Sequence, residues 1–184
     1  SATTKNRTEA LAHYATANLR TVLDQATEED WIAGIEWYNV AHTCAVHLSE
    51  TYAISLQAAA GIIAALSPQI SWEDNLKEAD SFCATGTSTR FPDAVAKAIA
   101  ILNGAEPLSV LGGRKVRSFY RNILEPDRAG AVTIDRHAAA ILCGVSTPEW
   151  NVRHQKTLER KHFYRLATAL YRAEARHYGL LPQQ

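Results

Sequence analysis

The stretch from Gly113-Arg114-Lys115 to Val132-Thr133-Ile134-Asp135-Arg136-His137 concentrates residue types that can do chemistry. Asp135 follows a short β-branched run and precedes a helical pattern that Gly144 closes, which puts it at a helix N-terminus. A carboxylate there is most simply an N-cap. The same group can also stabilise developing positive charge or take a proton from an incoming nucleophile. Lys115 reads first as a phosphate or substrate contact on a helix surface; a Schiff-base role requires a pKa lowered by burial or by neighbouring cations. Arg117, Arg121, Arg136 and His137 add groups suited to phosphate oxygens. His42 and His47 lack the i, i+4 spacing of a shared metal site, and no metal is expected.

The elements that must position these residues are helices. Leu11, Tyr14, Ala15, Leu19 and Val22 recur at helical spacing in a first helix over 3–26, and Thr27 with Glu28, Glu29 and Asp30 opens a second over 28–49. Ser55 caps an almost wholly apolar helix, 56–66, that stops at Pro68 and delivers Ser67, Pro68 and Gln69 to a junction. Ser71 opens a helix that Gly86 closes, and Pro92 begins another that ends near Asn103-Gly104. Gly112-Gly113 precedes a helix over 114–124, with Pro126 as its stop. Thr147-Pro148 starts a final segment in which Arg153, Lys156, Arg160, Lys161, Arg165, Arg172 and Arg176 outnumber Glu159 and Glu174. With little strand material between helices, the pattern predicts an all-α fold.

Composition narrows the class. A chain of 184 residues, 47% hydrophobic, can bury one sizeable core, so a single helical domain over 1–184 is expected. Lys plus Arg equals Asp plus Glu at 19 each, which excludes a uniformly cationic coat; basic charge gathers instead in the final segment and in Arg114, Lys115, Arg117 and Arg121. Cys44, Cys83 and Cys143 have no C-x-x-C spacing, so reduced thiols are expected. No apolar run approaches the roughly 20 residues of a membrane span. The segment 1–9 lacks the order of a signal peptide. The expectation is a soluble cytoplasmic protein with no membrane partner, in the host cytoplasm if phage-encoded.

Gly113-Arg114-Lys115 followed by Ile134-Asp135-Arg136-His137 resembles the G-R-K and V-D-T-H of the endonuclease III branch of helix-hairpin-helix DNA glycosylases. Leu66-Ser67-Pro68-Gln69 is similar to that family's L-S-x-Q. The resemblance implies a helix-hairpin-helix glycosylase-like domain with a cleft around 66–75 and 111–137. It makes Asp135 the catalytic carboxylate, Lys115 the position of the Schiff-base lysine, and Gln69 the residue that enters the space left by an extruded base. The hairpin consensus L-P-G-V-G stands here as Val110-Leu111-Gly112-Gly113, without its first glycine. The four-cysteine loop is absent, so neither an iron–sulfur cluster nor any other cofactor is expected.

Within that superfamily, 115–123 and 132–138, with the terminal helix from Tyr171, look closer to phage-type α-glutamyl/putrescinyl-thymine pyrophosphorylase-like proteins, the amino acid:DNA transferases. This implies attack by an amine or amino acid on a pyrophosphorylated 5-hydroxymethyluracil in DNA. The alternatives are a glycosylase that excises a modified base, with or without lyase activity, and a noncatalytic DNA-binding module. Both enzymatic readings take a modified pyrimidine out of the duplex stack. Gln69, Trp72 and Tyr120 are the residues to fill or stack against the gap, and Asn75 can read a base edge by paired hydrogen bonds. Gly112 and Gly113 would meet a DNA phosphate. Gln69 and Trp72 read equally well as a helix cap and a core side chain.

Overall fold

A computed structural model describes residues 2–128 and 130–184. The described residues are all-α: α1 (Ala2–Gln25), α2 (Glu28–Tyr52), α3 (Leu56–Leu66), α4 (Trp72–Thr85), α5 (Pro92–Leu102), α6 (Pro107–Val110), α7 (Arg114–Leu124), α8 (Arg136–Cys143), α9 (Val152–Leu158) and α10 (Lys161–Tyr178), with a 3-10 turn over Thr147–Glu149. No helix among them is long and apolar enough to cross a membrane. By contacts the chain divides into two compact units. One joins the chain up to Ile35 to Ile134–Pro182 and Gln184, and the other is Glu36–Thr133 with Gln183. The divisions fall inside α2 and immediately before Ile134, so 66–75 and 111–133 belong to one unit while Ile134, Asp135, Arg136 and His137 belong to the other.

In the 36–133 unit, α3 is the hub. Ser55 caps it by accepting a hydrogen bond from the Ala58 N–H at 3.0 Å, and Ala59 to Leu66 are all buried. α4, α5, α6 and α7 each pack on it. Ile62, Ile63, Leu66, Phe82, Ile101, Leu111 and Ile123 fill the interior, each contributing about 1.5–3 kcal/mol by leaving water. A Cβ on Gly61 would come within 2.9 Å of Pro107 Cγ, so the missing side chain is what lets α6 lie against α3.

In the other unit, α1 packs on α8 and α10, while α9 packs on both α8 and α10. Asn18 donates to the Leu142 carbonyl at 3.1 Å. Arg20 grips the buried Glu174 with two bonds, 2.8 and 3.1 Å. Gly144 ends α8 at φ 65°, and a Cβ there would meet Tyr14 Oη at 2.7 Å and Asn18 Nδ2 at 2.9 Å.

The sequence reading and the structure differ at particular places. α6 escapes the reading because its four residues are too few to show a period. The final basic segment is interrupted: the Asn151 side chain caps α9 by accepting from the Arg153 and His154 N–H groups, and Arg160 turns extended before α10. α2 continues to Tyr52, past the expected end at 49.

Candidate functional site

The 36–133 unit carries a helix–turn–helix element built from α6, Leu111-Gly112-Gly113 and α7. Leu111 is buried and anchors the turn, while Gly112 and Gly113 are exposed. Gly113 has φ 71° and ψ 148°, a conformation open in practice only to glycine. It precedes α7 without a side-chain cap, and the first backbone bond into α7 is from the Arg117 N–H to the Gly113 carbonyl at 3.3 Å. The N–H groups of Lys115 and Val116 lie in the first turn, where a helix offers them no acceptor of its own, and the exposed Arg114 and Lys115 stand at the same end. Arg117 turns back instead: its Nη1 donates to the Leu108 and Leu111 carbonyls at 2.8 and 3.3 Å, making it part of the frame of the turn. Lys97, paired with Asp93 at 2.5 Å, borders Gly112.

Along α7, Phe119, Tyr120, Asn122 and Ile123 face inward and Arg121 faces solvent. Tyr120 is 3% exposed, so its ring face is not presented for stacking. Trp72 is half-buried at the start of α4 and joins an aromatic group with Trp37 (5.1 Å between centroids), Phe119 (6.3 Å) and, through Trp37, Tyr38 (4.7 Å). Trp37 keeps 37% of its surface exposed. Asn75 is buried and its Oδ1 has no partner.

Gln69 is exposed at φ 58°, a left-handed conformation that strains a side-chain-bearing residue. Arg90 holds that junction: Nε donates to the Leu66 carbonyl at 3.2 Å and Nη2 donates to the Pro68 carbonyl. The sequence reading missed Arg90, because nothing local to 90 marks a partner more than twenty positions upstream.

In the other unit, Asp135 is the N-cap of α8, its Oδ1 accepting from the Ala138 N–H at 2.9 Å. α10 fixes this segment through two tyrosines. Tyr164 Oη accepts from the Ile134 N–H at 3.2 Å, and Tyr171 Oη donates to the Ala138 carbonyl at 3.0 Å. Burial, reinforced by the Asp135 charge, pushes the Tyr171 phenol well above its ordinary pKa and keeps it protonated. Spacing of seven on one helix face is the signal that links these tyrosines. Arg136 is exposed, and so is His137, whose Nδ1 lies 3.0 Å from Thr147 Oγ1. Arg153, Lys156, Arg160 and Arg165 are exposed on or beside α9 and α10.

A family model matches residues 1–184, the whole chain, and its description is a family of unknown function, DUF7178. The chain belongs to that family. No curated protein and no solved structure matches it. The chemistry therefore rests on the residues themselves.

Proposed function

We propose that this chain is a helix-hairpin-helix glycosylase-like enzyme that binds DNA and modifies a nucleobase, transferring an amine or amino acid onto a pyrophosphorylated 5-hydroxymethyluracil. The observation that carries the reading is the α6–Gly112-Gly113–α7 element. It presents an α7 N-terminus without a side-chain cap, with the exposed Arg114 and Lys115 on it, an arrangement that favours a phosphate of the DNA backbone. Asp135, at the start of α8, is the general base: it takes a proton from the incoming ammonium. The amine nitrogen then bonds to the base's exocyclic methylene carbon as the carbon–oxygen bond breaks and pyrophosphate leaves. Arg136 and His137, which follow Asp135 directly, are the groups available to neutralise the departing charge. Gln69, exposed and strained, is suited to fill the space that an extruded base vacates.

The test is mass spectrometry of nucleosides and free bases after the protein is incubated with DNA containing thymine, 5-hydroxymethyluracil or its pyrophosphorylated form, with and without amines. An amine-dependent mass gain on the pyrophosphorylated base is the expected result. Release of free base would replace transfer with glycosylase chemistry, and DNA binding with no change in any base would make the chain a binding module.

A further inference from the structure

Pro68 and Gln69 form the turn between α3 and α4, and Gln69 stands in it at φ 58°. A turn position after proline that takes a positive φ ordinarily holds glycine or asparagine, because a longer side chain is crowded there by the backbone. Gln69 is exposed, so burial of its own side chain does not offset the strain. The conformation has to be imposed from outside the residue.

Arg90 imposes it. Its Nε donates to the Leu66 carbonyl at 3.2 Å and its Nη2 to the Pro68 carbonyl. The Leu66 oxygen lies in the last turn of α3, where a helix offers it no donor of its own. The Pro68 oxygen belongs to the peptide that links Pro68 to Gln69, at the centre of the turn. Turning that peptide over would give Gln69 a relaxed, negative φ, which is the change that separates the two common β-turns. It would also swing the Pro68 oxygen away from the guanidinium. Two bonds from one planar fork therefore hold the strained form against the flip.

The clamp has a firm base. The Arg90 N–H donates to Ser88 Oγ at 3.1 Å, while Ser88 and Thr89 donate to the two carboxylate oxygens of Glu78 on α4 at 2.6 and 3.0 Å. The Phe91 ring centre lies 5.1 Å from the guanidinium carbon and adds a cation–π contact. All of these residues belong to the 36–133 unit. A turn with a structural duty alone would be relaxed by glycine at 69 and would need no such clamp.

We propose that Arg90 is a positioning residue: it locks the Pro68–Gln69 peptide so that the Gln69 side chain stands ready to fill the space an extruded base vacates. This assignment rests on the function proposed above.

Two measurements on the full chain test it, the first without DNA. Gln69→Gly should raise the melting temperature of wild type by about 2–4 °C through relief of strain. In Arg90→Ala the same change should do almost nothing, because there the peptide is free to turn over. The second measurement uses duplex DNA with 2-aminopurine, which brightens on unstacking, beside a pyrophosphorylated 5-hydroxymethyluracil, with the amine withheld. Saturating wild type should brighten it, and Gln69→Ala and Arg90→Ala should each cut the rise several-fold with the salt slope of binding unchanged. Arg90→Lys, which keeps the charge and reaches one carbonyl, should be intermediate in both measurements and serves in place of an Arg90→Ala chain that does not fold. Equal gains in melting temperature with and without Arg90, or a fluorescence rise that the Arg90 variants leave at full height, would overturn the assignment. No rise with wild type, on DNA that it binds, would overturn base extrusion and with it this use of Gln69. The melting temperatures would then still tell whether Arg90 holds the turn, so the two failures are distinguishable.

Discussion

Asp135 caps α8 and is the proposed general base, and substitution can separate the two. As the α8 N-cap it satisfies the Ala138 N–H, and asparagine does this nearly as well as aspartate, whereas alanine costs about 1 kcal/mol. Asp135→Asn should therefore hold the melting temperature near that of wild type while removing the general base; Asp135→Ala should lower both. Thermal unfolding beside the mass assay reads the two effects. Cys83 offers a control on packing. Burial, with a smaller push from Asp80, raises its thiol to about 11, so it is protonated at neutral pH. In the folded protein it should react with iodoacetamide far more slowly than in urea, and equal rates would contradict the burial.

At the turn between α6 and α7 the local backbone meets the proposed DNA contact. Gly113→Ala puts a Cβ on a conformation that only glycine accepts easily, at a cost of about 1–3 kcal/mol, and should weaken DNA binding beyond its effect on stability. Lys115→Ala leaves the turn intact, so it should reduce the slope of log affinity against log salt by about one without altering base preference. The junction after α3 carries a pH signature. Glu78 accepts from Ser88 at 2.6 Å and Thr89 at 3.0 Å, with Arg90 nearby, and the Ser88 bond foremost holds its carboxyl below the usual carboxylate range. A folded-state pKa lowered in this way adds stability above the unfolded value, and the gain is lost as pH falls through the folded one. The drop in melting temperature between about pH 5 and pH 3 should be smaller in Glu78→Gln than in wild type.

Much of this was legible in sequence because the signals were local. Ser55, Ser71 and Asp135 each cap the helix expected of them, and Gly86 and Gly144 end theirs in left-handed conformations. What stayed hidden depends on contacts distant in sequence. Arg117 looked like a phosphate ligand on an amphipathic helix, yet its guanidinium meets the Leu108 and Leu111 carbonyls. Arg90, Tyr164 and Tyr171 act on residues more than twenty positions away, and no periodicity records that.

For the molecule as a whole, the balanced charge of 19 basic and 19 acidic groups hides an uneven distribution. Arg114 and Lys115 are exposed in the 36–133 unit, while Arg136, Arg153, Lys156 and Arg165 are exposed in the other. DNA contact through such groups predicts steep salt dependence despite the neutral total. The most direct measurement is the mass change of pyrophosphorylated 5-hydroxymethyluracil DNA incubated with an amine and either wild-type or Asp135→Asn protein, both shown to be folded and to bind the DNA. Amine addition by wild type that Asp135→Asn abolishes is the predicted result. An unmodified base with wild type, or equal product from the asparagine variant, would contradict it.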